Sequence, residues 1–229
     1  MSKKKSNKAE ARVEGVEQVL TKAEQFIETY QKQIIRVVGG ILCVVLVFIG
    51  FQHFVVAKRS QDAAAQMFPA EQYFEAEDWE RALDGDGNFP GFEDIISDYR
   101  FTASANLARF YAGVCLLNLG EYEDAIQHLS RFKTKDFIMS SIALGGIGDA
   151  YAQIGDFNKA LTFYKKAADR KKNDFTTPLY LLRAGILLES IGRLKEAELL
   201  YERIKADYET STEGRSIDKY IARIKAQID

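Results

Sequence analysis

The sequence is short of the residues that build reactive sites. Its 229 residues hold two cysteines, two histidines, one tryptophan and three prolines. Cys43 lies inside an unbroken apolar run, and neither it nor Cys115 has a second Cys or a His at ligand spacing. A disulfide framework, a zinc site and a redox pair therefore lack support, and both thiols read as small buried hydrophobes. His53 and His128 fall on opposite sides of a predicted membrane boundary, with nothing to bring them together. An excess of one charge is also lacking: 31 Lys and Arg stand against 33 Asp and Glu, a net of −2. The clustered basic surface that nucleic acid requires is not expected. The few prolines lie outside the most periodic stretches, as long helices demand. Pro69 is expected to end or kink a linker helix near Met67.

Binding motifs are equally scarce. No GxxxxGK[ST] or GxGxxG follows a strand and opens a helix, and Gly145-Gly146-Ile147-Gly148 reads as helix-packing material. Asp84, Asp86 and Asn88 imitate the start of a calcium loop, but Phe89 and Ile95 stand where glycine and glutamate are needed. No nucleophile has a base at a telling spacing, and the carboxylates are scattered along amphipathic helices. The expectation is a non-enzymatic chain with no cofactor, no metal and no small-molecule substrate.

One long apolar run is present. From Val37 to Ala57 no residue carries a fixed charge; Arg36 closes the run on one side, Lys58 and Arg59 on the other. As a helix it is roughly 31 Å long, against a hydrocarbon core of about 30 Å. A buried helix of a soluble core would show a polar face, and Ile34 to Phe51 offers only Arg36. A cleavable signal peptide begins within the first residues and ends at small residues, neither of which holds here. Residues 1–36 carry eight Lys/Arg and five Glu, so the positive-inside rule places this tail in the cytosol. Within it Val13, Val16, Leu20, Ala23, Ile27, Tyr30 and Ile34 recur at spacings of three and four, a seam running into the span. That amphipathic helix either lies on the inner membrane surface or packs against a partner.

The body repeats. Segments beginning at Gly120 (GEYEDA), Gly155 (GDFNKA) and Gly192 (GRLKEA) align, and another glycine precedes each by seven residues, at Gly113, Gly148 and Gly185. The turn glycines suit a left-handed helix end, and the earlier ones admit a close helix approach. Ala125, Ala160 and Ala197, with Leu129, Tyr164 and Tyr201 four residues on, supply the facing surface. This pattern resembles the tetratricopeptide repeat. Tyr73, Trp79 and Ala82 imitate a degenerate upstream copy. Ile217, Tyr220, Ile221, Ile224 and Ile228 make a capping helix, which a solenoid needs at its exposed end. The expected fold class is all-α: an N-terminal amphipathic helix and a single transmembrane helix, then a tetratricopeptide-repeat solenoid of about three to four helical hairpins.

The layout, together with Gly91–Tyr99 leading into Asn106–Gly113, resembles the YfgM-like ancillary subunit of the bacterial SecYEG translocon. The resemblance implies an inner-membrane protein with a periplasmic repeat domain, in contact with the lipid bilayer, the SecYEG translocon and a PpiD-type periplasmic chaperone. A membrane-anchored scaffold of a different cell-envelope assembly is the alternative. The boundaries expected are a cytosolic tail over 1–33, a span over 34–57 and a periplasmic domain over 58–229. Within that domain a degenerate hairpin covers about 62–84, repeats cover about 106–139, 141–173 and 178–209, and a cap covers 213–228.

In tetratricopeptide arrays the first helix of each hairpin lines the inner face. Counting back from the turn glycines, the candidate partner-binding positions are Leu107, Phe110, Val114, Leu117 and Asn118 in the first repeat. Ile142, Gly145, Asp149, Ala152 and Gln153 follow in the second, and Leu179, Leu182, Ile186, Glu189 and Ser190 in the third. Most are apolar where a carboxylate clamp would present Lys, Arg or Asn. Either the groove accepts an apolar or amphipathic helical segment, or the chain's own C-terminal helix fills it.

Overall fold

The computed structural model describes residues 30–33, 35–50 and 57–228, and the chain divides between Val56 and Ala57 into two units. The first holds α1, Tyr30–Gly50, a 21-residue helix of mean hydropathy 2.4 with none of its most apolar stretch buried. It is long and apolar enough to cross a membrane by length and composition. The seam positions Val13, Val16, Leu20, Ala23, Ile27 and Ile34 lie outside the described residues, while Tyr30 opens α1 and is 42% exposed.

The second unit is a run of helices: α2 (Ala57–Glu75), α3 (Trp79–Asp84), α4 (Phe92–Asp98), α5 (Ala103–Leu119) and α6 (Tyr122–Arg131), then α7 (Phe137–Ile154), α8 (Phe157–Asp169), α9 (Thr176–Ser190), α10 (Leu194–Asp207) and α11 (Ile217–Ile228). No strand occurs among the described residues. The pairs α5–α6, α7–α8 and α9–α10 form three successive helical hairpins of a tetratricopeptide-type solenoid.

Each hairpin closes in the same way. Gly120, Gly155 and Gly192 take φ of +87°, +87° and +75°, the left-handed region that costs other residues strain. The next residue then donates back five positions: Glu121 N to Leu116 O at 2.9 Å, Asp156 N to Tyr151 O at 2.9 Å and Arg193 N to Leu188 O at 2.8 Å. These bonds satisfy carbonyls that the helix end leaves free. The starts of the first helices are fixed by polar side chains: Thr102 accepts from Ala105 N at 3.1 Å, Asp136 from Met139 N at 2.8 Å and Asn173 from Thr176 N at 2.7 Å. The first helices begin at 103, 137 and 176.

Inside each hairpin the helices meet at a glycine. Gly113 faces Leu129, Gly148 faces the ring of Tyr164 and Gly185 faces the ring of Tyr201, and a methyl group would come 2.6 Å from Leu129 or 2.7 Å from Tyr164. Ala125, Ala160 and Ala197 are fully buried on the second helices. The upstream copy departs from this scheme. Helix α2 continues through Pro69 to Glu75 instead of ending near Met67. The carbonyl that proline leaves without its N–H partner is that of Ala65, which is exposed and open to water. Its partner is broken into the short α3 and α4, joined by a loop that Asp86 organises by accepting from Asn88 N at 2.9 Å, Phe89 N at 2.8 Å and the Tyr73 hydroxyl at 2.8 Å. Phe92 and Tyr111 stack and Phe74 meets both edge-on to seal this end, with Phe92 fully buried.

A side chain on the helix–helix contact should be felt throughout a hairpin. Overpacking costs about 1–3 kcal/mol. The urea midpoint of the Gly148→Ala chain should fall by that equivalent, while Gln153→Ala on the exposed face of the same helix should shift stability by less than about 0.5 kcal/mol.

Candidate interaction groove

The first helices line a groove of about 330 Å³. Val114, Leu117 and Asn118 come from α5, Ile142, Gly146, Asp149 and Gln153 from α7, and Tyr180 and Arg183 from α9, with Tyr122 and Leu129 of α6 completing the wall. The small Gly146 keeps the floor low: a methyl group there would press on Leu129 and Leu117 at 3.0 and 3.2 Å. One side of the groove is apolar through Val114, Leu117 and Ile142. The other offers amides and charge through Asn118, Gln153, Asp149 and Arg183.

The charges are internally matched. Asp149 accepts from the Tyr164 hydroxyl at 2.7 Å and pairs with Arg183 on the next first helix. Arg183 also lies over the Tyr180 ring, 5.7 Å from its centre. Burial above all, and then the facing Asp149, push the Tyr164 hydroxyl well above the usual tyrosine range, so it remains a donor. The same arrangement recurs at the end of the solenoid. Glu189 accepts two bonds from Arg223 of α11, both at 2.7 Å, and a third from the Tyr201 hydroxyl at 3.1 Å. Arg223 lies over the Tyr220 ring, 5.0 Å from its centre. In both cases acid and arginine are separated by 34 residues, one repeat length, and the arginine follows a tyrosine by three.

This geometry sorts the candidate positions. Val114, Leu117, Asn118, Ile142, Asp149 and Gln153 share the groove. Leu107 does not; it packs on the cluster around Phe92 and Ala108. Phe110 is also core-facing, 5.3 Å from the Phe132 ring and against Leu129, Ala143 and Ile147. Leu179, Leu182 and Ala152 border the cluster around Tyr201. Gly145 is covered by the Tyr180 ring. Ile186 is 42% exposed outside the groove. The Ser190 hydroxyl donates to Leu187 O at 2.8 Å, and Glu189 is engaged by α11. The difference is one of position along the helix: at 100° per residue Phe110 and Leu117 are only about 20° apart, but Phe110 lies in the first half of α5, where Phe132 just past the end of α6 packs against it. Counting also missed Tyr122, Tyr180 and Arg183. The recurring Tyr-x-x-Arg at 180–183 and 220–223 was the available signal.

Helix α11 does not fill this groove. Its buried Ile217, Ile221 and Ile224 pack on the last hairpin, and its Arg223 holds Glu189 in the way that Arg183 of α9 holds Asp149. It thus stands where the next first helix would stand and closes the apolar end. Cys115 is buried, and burial pushes its thiol up to about 12. Among the described residues no His, Cys, Asp and Glu cluster could hold a metal ion.

Two tetratricopeptide-repeat family models match the chain, one over residues 92–136 and one over 142–174. No curated protein matches it. Tetratricopeptide repeats are protein–protein interaction modules, which agrees with a groove whose lining is half apolar and half hydrogen-bonding.

The cap contact gives a pH dependence. Arg223, against the opposing effect of burial, holds the Glu189 carboxyl below its usual range. A carboxyl depressed in the folded state stabilises the fold above its unfolded pKa, about 4.3, and loses that contribution as pH falls through the lower folded value. Denaturation midpoints of the wild-type chain should therefore fall more steeply below about pH 4.3 than those of Glu189→Gln, whose curve starts lower and runs flatter.

Proposed function

We propose that this chain is a membrane-anchored adaptor, held by α1 in the bacterial inner membrane with its repeat domain on the periplasmic side, that serves the SecYEG translocon as a non-enzymatic accessory subunit. The observation that carries the adaptor reading is the open groove between α5, α7 and α9, in a chain that also carries a 21-residue helix of mean hydropathy 2.4. The ligand the groove suits is an amphipathic segment. Its apolar side would meet Val114, Leu117 and Ile142, and its polar side would meet Asn118 and Gln153. Because Arg183 is already paired with Asp149, the groove offers, among the described residues, no free cation to hold a terminal carboxylate.

The translocon and a PpiD-type chaperone are the partners suggested by the layout resemblance. The segment that carries it, Gly91–Tyr99, is the helix α4 region, whose Phe92 locks the irregular first hairpin onto α5. The orientation rests on the basic tail, with eight Lys/Arg in residues 1–36.

Two measurements test this reading. A phosphatase reporter fused after Asp229 should be active; a reporter that works only in the cytosol would reverse the topology and remove the secretion role. Purification of the tagged full-length chain in mild detergent should recover the translocon or the chaperone. Val114→Glu with Ile142→Glu should lower that recovery at least tenfold, or about 1.4 kcal/mol, without loss of membrane fractionation. Recovery of a different envelope complex would move the function there.

A further inference from the structure

The loops that lead into α7 and α9 are basic and each of the loops before α5, α7 and α9 carries a phenylalanine, a composition that repeat packing does not require; the loop before α11, with Glu209 and Glu213 against Arg215, does not share it. Arg100 and Phe101 precede α5; Arg131, Lys133 and Lys135 precede Phe137 at the start of α7; Arg170, Lys171 and Lys172 precede Phe175 before α9. Phe101 is 77% exposed and Phe175 61% exposed, and Lys171 lies over the Phe137 ring, 4.4 Å from its centre. From 98 to 102, 131 to 136 and 169 to 174 there are seven Lys/Arg and four Asp, in a chain of net charge −2. None of those seven basic side chains is in an ion pair among the described residues. The turns at the other end of the first two hairpins are acidic, with Glu75, Glu77, Asp78 and Glu80 at one and Glu121, Glu123 and Asp124 at the next.

These loops form one edge. Asn106, near the start of α5, binds both backbone atoms of Lys133 at 2.8 and 3.0 Å, and Arg170 Nε donates to Ser140 Oγ near the start of α7 at 2.9 Å. Between them lies a depression of about 370 Å³, lined by Lys133, Ser140 and Arg170 together with Leu144, Ile147 and Phe163. The start of α2 belongs to the same edge. Phe74 lies 4.9 Å from the Tyr111 ring, and Ala76–Trp79 at the end of α2 share a depression with Leu119 at the end of α5, so the two helices run in the same direction. In sequence, residues 51–56 alone separate α2 from α1.

We propose that this basic, aromatic edge docks on an anionic lipid surface. Lysine and arginine meet phosphate headgroups there, and the exposed phenylalanines enter the interfacial layer. The acidic turns then point away from the membrane, so attraction at one edge and repulsion at the other set one orientation. The idea rests on the membrane-anchored reading and adds what the domain does once it is anchored.

The test uses the full-length chain in vesicles of brominated phosphatidylcholine, with and without phosphatidylglycerol. The native Trp79 sits at the opposite, acidic edge and reports on a raised domain. Phe101→Trp and Phe175→Trp, each in a Trp79→Phe background, report on the docking edge. With phosphatidylglycerol, tryptophan at 101 and 175 should be quenched by the bromine atoms, and Trp79 should not. High salt should relieve the quenching, and Arg170→Glu with Lys172→Glu should weaken it by roughly five-fold per charge removed. Co-flotation with the vesicles checks anchoring separately: a chain that fails to float refutes the membrane reading. A chain that floats with tryptophan 101 and 175 no more quenched than Trp79 refutes the docking edge. Crosslinks from these positions to an acidic protein, in place of quenching, would also overturn the proposal.

Discussion

Two helices can meet at backbone distance only where one of them has no side chain. Gly113, Gly148 and Gly185 provide that absence, and Leu129, Tyr164 and Tyr201 fill it from the second helix sixteen residues on. The rest of the solenoid depends on this contact. It sets the angle of each hairpin, and so which face of α5, α7 and α9 remains for a groove. It also aims the Tyr164 and Tyr201 hydroxyls at Asp149 and Glu189.

Those two acids carry the order from one hairpin to the next. Asp149 reaches Arg183 and Glu189 reaches Arg223, across the same 34-residue interval. Exposed ion pairs contribute little to stability, about 0–1 kcal/mol each, so their effect is mainly on register. Apolar ridges alone permit sliding; the single bond of Arg183 and, more firmly, the bidentate Arg223 fix one position. The last such pair recruits α11 as a substitute first helix, which buries Ile217, Ile221 and Ile224 and leaves the groove upstream open.

The hairpins were legible in the sequence because glycine has few substitutes at a left-handed turn or a backbone contact, so both sets stand out at a fixed interval. The candidate groove was legible only in part. Val114, Leu117, Asn118, Asp149 and Gln153 fall where the count from the turns put them, whereas Phe110 and Leu182 are half-buried against the core clusters. Arg183 escaped that count because its role is set by a carboxylate one repeat away, and among 31 basic residues it is marked by the recurring Tyr-x-x-Arg spacing rather than by the turn glycines. Pro69 misled for a different reason: it forbids one hydrogen bond, and where the orphaned Ala65 carbonyl faces water the helix tolerates the loss.

The central claim is that the face lined by the first helices takes a protein ligand. Site-specific photocrosslinking in cells addresses it most directly, with the reactive residue placed singly at Ile142 in the groove and at Leu199, which is 70% exposed on the second helix α10. Adducts from position 142 to the translocon or the chaperone, with none from 199, are the predicted result. Adducts from 199 alone would contradict the account and place the binding face on the second helices.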